Sequence, residues 1–220
     1  CIEQNYKIYL TIIFKNFNYK NPNHYIIKNN TFIRDFENLY KNIKDPWNQH
    51  SNFLNEETVI FAREIIKKIS KNNNKLCLLD VGAGQGSLKK ILKSNIKYIG
   101  TDIHKKKFKN VKYDDINIYN PNFKNKFDII VCFKTIYYLA DNIDVVINNF
   151  QKYLKIKEII FISYNSKKDS YSNKFLTDLK LRSKLTQIFN EIYTVEINRE
   201  LYETKNKDKN TLFVFKKLSK

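Results

Sequence analysis

The chain has no methionine, one tryptophan, three prolines, three cysteines and only four glycines among its 220 residues. Each scarcity excludes something. Cys1, Cys77 and Cys132 are too few and too scattered for a disulfide framework or a zinc cluster, and no metal is expected. Cys77 and Cys132 lie in apolar runs that read as strands, so buried, reduced thiols in a reducing, cytoplasmic setting are the expectation. No uninterrupted apolar run approaches the ~18 residues that a membrane-spanning helix needs, and no membrane partner is expected. The most apolar early stretch, residues 8–14 (IYLTIIF), lacks a small-residue cleavage pattern and does not read as an export signal. A chain without methionine that begins on Cys1 is expected to be a processed or clipped piece of a longer reading frame. A mature lipoprotein would also begin on Cys, but no flexible tether follows.

What is abundant is lysine, asparagine, isoleucine and tyrosine. Lys and Arg outnumber Asp and Glu by 40 to 22, a formal charge of +18. A basic face concentrates phosphate by attraction and counterion release, which brings nucleic acid into view as a partner. The lysines are spread along the chain rather than clustered, and the joint excess of Lys, Asn, Ile and Tyr is what AT-rich coding produces. A solvated surface is therefore the favoured reading, with nucleic acid second.

At this length one core is the default. Residues 1–30 lack periodicity and carry Pro22 in an NPN turn signal, so they read as a tail or appendage, with residues 31–220 as one domain. From Thr31, the apolar residues Phe32, Ile33, Phe36, Leu39, Tyr40 and Ile43 recur at helical spacing, up to the stop at Asp45-Pro46. A second helix starts at Asn55-Glu56-Glu57-Thr58, with Val59, Ile60, Ala62, Ile65, Ile66 and Ile69 on one face. These helices, within 31–72, form an N-terminal extension placed as a lid over a core spanning 75–220.

In that core, Leu76–Val81 is a short continuous apolar run, as expected of a strand buried on both faces of a parallel sheet. Further strand candidates are 98–102, 111–113, 127–132 and 158–163. Helical or turn-rich segments such as 88–92 and 143–154 separate them. The alternation predicts an α/β, doubly wound, mostly parallel seven-stranded sheet with helices on both faces. Residues 192–201 and 211–215 break the rhythm and predict an antiparallel C-terminal edge hairpin.

Three of the four glycines fall within five residues, in Asp80-Val-Gly82-Ala83-Gly84-Gln-Gly86. In so glycine-poor a chain this marks backbone that must turn tightly and let a ligand approach. The loop follows a buried strand and precedes Ser87-Leu-Lys-Lys-Ile-Leu92, which reads as a helix start, the place where doubly wound folds bind nucleotide-like ligands. Asp102 closes the next strand, 20 residues after Gly82, and a carboxylate there can accept bonds from two ribose hydroxyls. The dinucleotide fingerprint G-x-G-x-x-G would need Gly or Ala at position 87, which is Ser.

The pattern acid-x-G-x-G-x-G resembles the first motif of class I S-adenosylmethionine-dependent methyltransferases. Tyr98-Ile-Gly-Thr-Asp102-Ile103 is similar to the family's second motif, Asp114-Asp115-Ile116 to its third, and 127–139, including Phe133, to its fourth and the helix after it. The resemblance implies S-adenosylmethionine (SAM) as cofactor and S-adenosylhomocysteine (SAH) as product. It further implies Asp102 on the ribose, Ile103 on the adenine, and Asp115 in preference to Asp114, with Ile116, at the adenine edge. The segment around Asp45-Pro46-Trp47 resembles that of small-molecule methyltransferases of the nodulation N-methyltransferase and surface-sugar type, where it helps cover the cofactor, which makes Trp47 a lid candidate. Lys134 departs from the acidic or small polar residue common at its position. With Tyr164, in Ser163-Tyr164-Asn165, it is a candidate for the acceptor side.

No base is singled out. The candidates are His50, Tyr137 and Tyr138, and His24 and His104 have weaker claims; Tyr137 and Tyr138, adjacent on a helix, are not expected to face one site. The expected function is SAM-dependent methylation of an oxygen or nitrogen of a small-molecule acceptor, such as a sugar or sugar nucleotide. A nucleic-acid methyltransferase and a SAM-fold protein without turnover are the alternatives. Against the former, Cys132-Phe-Lys-Thr135 stands where base-amine methyltransferases carry Asn/Asp-Pro-Pro-aromatic. Neither acceptor identity nor oligomeric state has a signature in the chain.

Overall fold

Residues 23–29, 31–46, 53–73, 75–103, 111–112, 121, 123–124, 126–167, 175–200 and 207–218 are described in the computed structural model. A short N-terminal extension carries α1 (Asn23–Ile26), the paired β1 (Ile27–Lys28) and β2 (Thr31–Phe32), and α2 (Phe36–Asn42). Then come a 3-10 turn at Phe53–Asn55 and α3 (Glu57–Lys71). The sheet is built from β3 (Leu76–Val81), β4 (Ile96–Thr101), β5 (Val111–Lys112), β6 (Phe127–Phe133), β7 (Leu154–Lys167), β8 (Phe189–Glu200) and β9 (Lys207–Lys217). α4 (Ile143–Tyr153) precedes β7, and α5 (Asp178–Thr186) precedes β8.

The strand order is β5-β4-β3-β6-β7-β9-β8, with β5 to β7 parallel and β9 antiparallel to both β7 and β8. The predicted C-terminal hairpin is present, with β9 inserted between β7 and β8. Every residue of β6 is buried, because helices cover both faces of this central strand. Along β3 the side chains alternate. Leu76 and Leu78 pack with Val59, Ala62 and Ile66 of α3, while Leu79 and Val81 pack with Val146, Ile147 and Phe150 of α4 on the opposite face. Burying each of the larger side chains among these contributes about 2 kcal/mol.

Two predicted elements differ from what is found. Helical spacing predicts a helix from Thr31, but α2 begins at Phe36. Thr31 and Phe32 pair with Lys28 and Ile27, and Asp35 caps α2 by accepting the Asn38 N–H at 3.2 Å. Ile26, in the stretch read as an appendage, is wholly buried in the α4-side core. The helix predicted after the glycine loop is instead a 3-10 helix at Ser87–Ile91, and with β4 starting at Ile96 its rise of about 2.0 Å per residue carries the short crossover further back along the sheet than α-helical turns would. Among the described residues, no helix is long and apolar enough to cross a membrane.

Candidate functional site

Three strand ends converge at the carboxyl edge of the sheet, those of β3, β4 and β6. β3 runs directly into the glycine loop, where Gly82, Gly84 and Gly86 all adopt left-handed backbone, with φ of 71°, 51° and 72°. Those angles strain any residue with a Cβ. At Gly82 a Cβ would also lie 2.2 Å from the hydroxyl oxygen of Thr135. The loop is pinned to the end of β4, since the N–H groups of Gly82 and Ala83 both donate to the carbonyl of Thr101 at 2.9 Å.

Asp102 follows directly, and its Oδ2 accepts the Gly84 N–H at 2.8 Å. The turn and the acid, 18 residues apart in the chain, are thereby one structural unit. Ile103, next along, is exposed.

Asp80, at the base of the loop, is 4% exposed, and its Oδ2 accepts the hydroxyl of Tyr98 on β4 at 2.8 Å. Burial pushes its carboxyl up to about 7; the Tyr98 hydrogen bond acts in the opposite direction, and the neighbouring charge of Asp102 adds to the rise. Asp80 borders an open recess of about 240 Å³, counted out into solvent, lined also by Phe53, Gly82, Ala83, Ser87 and Phe133. Phe53 and Phe133 stand 6.2 Å apart, ring centre to ring centre, as its aromatic walls.

Beyond Phe133 the chain turns sharply. Lys134 holds a left-handed φ of 50°, and its N–H is shared between the carbonyl and hydroxyl oxygens of Ser163, at 3.1 and 2.9 Å. Its ammonium reaches across to Glu56, just ahead of α3, at 2.6 Å. The pair ties the start of α3 to the end of β6 beside the recess.

The structure thus gathers Asp80, Gly82, Ala83, Gly84, Gly86, Asp102 and Phe133 at one edge, with Ile103 and Lys134 adjoining. Tyr164 lies elsewhere. It is fully buried in the α4-side core, donates its hydroxyl to the carbonyl of Leu176, and so does not wall the recess. Tyr137 and Tyr138 are also in that core, stacked edge to face at 4.6 Å, and neither lines the recess. His24 is exposed against Tyr25 in the N-terminal extension. Trp47, His50, His104, Asp114, Asp115 and Ile116 lie outside the described residues. Among the described residues no three His, Cys, Asp or Glu gather as a metal site requires.

Sequence reading passed over Phe53, Thr135 and the roles of Tyr98 and Gly100. A Cβ on Gly100 would fall 2.8 Å from that of Ala83, so all four glycines of the chain serve this site. That concentration was a usable signal, since the fourth glycine sits two residues before Asp102.

Residues 48–208 match the model of a family described as a methyltransferase domain. In fold the chain is similar to the N-methyltransferase NodS from Bradyrhizobium japonicum WM9, solved in complex with SAH. The TM-score is 0.59 at 16% identity, over 81% of this chain and 94% of that one. It is similar also to a SAM-dependent methyltransferase from Clostridium acetobutylicum ATCC 824, with TM-score 0.54 and 15% identity over 83% and 99% of the two chains. The [4+2]-cyclase SpnF shares the fold as well, with TM-score 0.55 and 11% identity over 74% and 82%. At such identities the likeness is one of fold, and the cyclase shows that fold serving another reaction. No curated protein matches in sequence.

Proposed function

The chain belongs to the methyltransferase-domain family, and on that footing we propose that it transfers the methyl group of SAM to an oxygen or nitrogen of a small-molecule acceptor, such as a sugar or sugar nucleotide. The observation that carries the cofactor reading is the hydrogen bond from Gly84 to Asp102, which sets a carboxylate at the rim of a glycine-lined turn.

The residues present fit an adenosyl sulfonium better than a dinucleotide. A pyrophosphate calls for an α-helix N-terminus. Here a five-residue 3-10 helix follows the loop, and the Asp80 carboxylate lies at the base of that loop. The Asp80 carboxylate and the aromatic rings of Phe53 and Phe133, which line the recess, instead suit a ligand carrying positive charge.

Bound SAM supplies an electrophilic methyl group on a cationic sulfur. Asp102 would accept the ribose hydroxyls and Ile103 would pack on the adenine, with Asp115 and Ile116 at its edge. Gly82, Ala83, Gly84 and Gly86 would let the backbone close on the ligand. With a ligand bound, the apolar rings of Phe53 and Phe133 would help exclude water, which matters for a displacement whose catalysis is mainly alignment and exclusion of competing nucleophiles. The 31–72 segment would cover the cofactor, with α3 packed on the sheet and the stretch that carries Trp47 as the lid over the recess. Lys134 anchors that lid through Glu56. The burial of Tyr137 and Tyr138 away from the recess leaves His50, and with a weaker claim His104, as sequence candidates for a base, and a neutral amine acceptor would need none.

Calorimetric titration with SAM should give a Kd of about 1 μM to 1 mM, weakened about 100-fold in Asp102→Ala through the loss of two charge-assisted bonds. Absence of binding at millimolar ligand, or unchanged binding in Asp102→Ala, overturns this reading. SAH release across panels of metabolites and RNA then identifies the acceptor. The formal charge of +18 is what keeps a nucleic-acid acceptor as second reading, and tight, steeply salt-dependent RNA binding with turnover would establish it.

A further inference from the structure

In the β3–β4 register, Tyr98 is opposite Leu78, and Asp80 is opposite Gly100. The phenol of Tyr98 nevertheless reaches Asp80, two residues along, at 2.8 Å. Gly100 clears its path, for a Cβ there would lie 2.9 Å from the phenol oxygen. Burial and the negative charge of Asp80 push the phenol's own pKa upward, so Tyr98 stays a proton donor throughout the physiological range.

Among the described residues, no cation faces Asp80. The titratable groups that face it are Tyr98 from β4, Asp102 just beyond β4, and Cys132 from β6, whose thiol is pushed up by burial and by Asp80 itself. None is a cation. A carboxylate that borders a recess, is nearly buried and has a second carboxylate nearby is costly to ionise, and a single phenol offsets only part of that cost. A cation arriving in the recess would complete the arrangement.

We propose, resting on the SAM reading above, that Tyr98 is a positioning residue of the cofactor site: its phenol, admitted by Gly100, holds Asp80 ionised and oriented to receive a cationic group of the sulfonium amino-acid cofactor. Tyr98 itself need not touch the cofactor. It acts by keeping the proton off Asp80 and fixing the rotation of the carboxylate.

The test is SAM affinity of wild type and Tyr98→Phe from about pH 6 to about pH 9, with thermal unfolding run in parallel. The cofactor's own amine titrates in this range, so the quantity read is the ratio of variant to wild-type affinity at each pH, in which that titration cancels. Tyr98→Phe should bind about tenfold more weakly near neutrality, the worth of one hydrogen bond to a charged group, and the deficit should narrow as pH rises and ionises Asp80 without help. Asp80→Asn guards against a Tyr98→Phe protein that does not fold: fixed as neutral, it should bind weakly, and its ratio to wild type should fall further as pH rises. A Tyr98→Phe deficit equal at every pH would mark Tyr98 as merely structural and overturn the proposal. So would a Tyr98→Phe profile that tracks wild type, or an Asp80→Asn ratio flat across the range. Wild type that fails to bind SAM at any pH would instead remove the SAM reading itself, and this proposal with it.

Discussion

Asp80 and Asp128 are the same residue on neighbouring parallel strands, almost equally buried at 4% and 7% exposure, yet at opposite ends of the sheet. Asp128, near the start of β6, accepts the Cys77 N–H at 2.7 Å and the Lys155 ammonium at 2.6 Å. Asp80, near the end of β3, has a phenol and a second carboxylate for company, and its pKa rises to about 7. Burial is common to both and so does not distinguish them. Partners do: the acid paired with an ammonium ties β6 to β3 and β7, and the acid that no cation faces among the described residues borders the recess where a cationic ligand can supply one.

The contrast can be broken most directly at its structural end. Asp128→Ala leaves the Cys77 N–H without its acceptor and frees a half-exposed ammonium, and should cost about 2 to 3 kcal/mol of stability in a denaturant titration. SAM affinity of the folded fraction should stay as in wild type; an affinity that falls in step would mean that the two ends of the sheet are not independent.

The second test takes the opposite sign. Asp80 has its folded pKa raised from 3.8 to about 7, so the stability it contributes is complete below the unfolded value and is lost as pH rises through 7. Asp80→Asn carries no charge to bury. It should match wild type in acid, gain on it as pH climbs, and be more stable by about 2 kcal/mol above neutrality, while binding SAM less well. Destabilisation at about pH 8 would show that the carboxylate is satisfied after all.

The smallest effect is expected at the rim. Glu56→Gln loosens a partly exposed ion pair and should lower stability by about 0.5 kcal/mol. If the pair anchors the lid, SAM affinity should drop about threefold; unchanged affinity would leave Lys134 a role in shape alone.

Much of the site was legible from residues close together in the chain. Glycines crowded into a glycine-poor sequence, placed after a run buried on both faces, announced the turn, and Asp102 followed at the spacing of the next strand. Helical spacing over Thr31–Ile43 overreached because periodicity registers neither the Asp35 cap nor the pairing of Thr31 with Lys28. Tyr164 looked like a pocket wall from its place at the end of a strand, but alternation turned it toward the α4 face, opposite Phe133. Phe53 could not be placed from its neighbours, since what makes it a wall is the ring of Phe133 on a distant strand.

The primary sequence by itself determined the buried parallel strands, the left-handed turn and the acid that follows it, because apolar period and positive φ are demands each residue meets with its immediate neighbours. Tertiary structure alone decided that Tyr98 would reach Asp80 over Gly100, that Asp128 would find Lys155, and that β9 would lie between β7 and β8. Desolvation and charge pairing are set by atoms that only folding brings within a few ångströms, so the character of a buried aspartate is a property of its surroundings and not of its place in the chain.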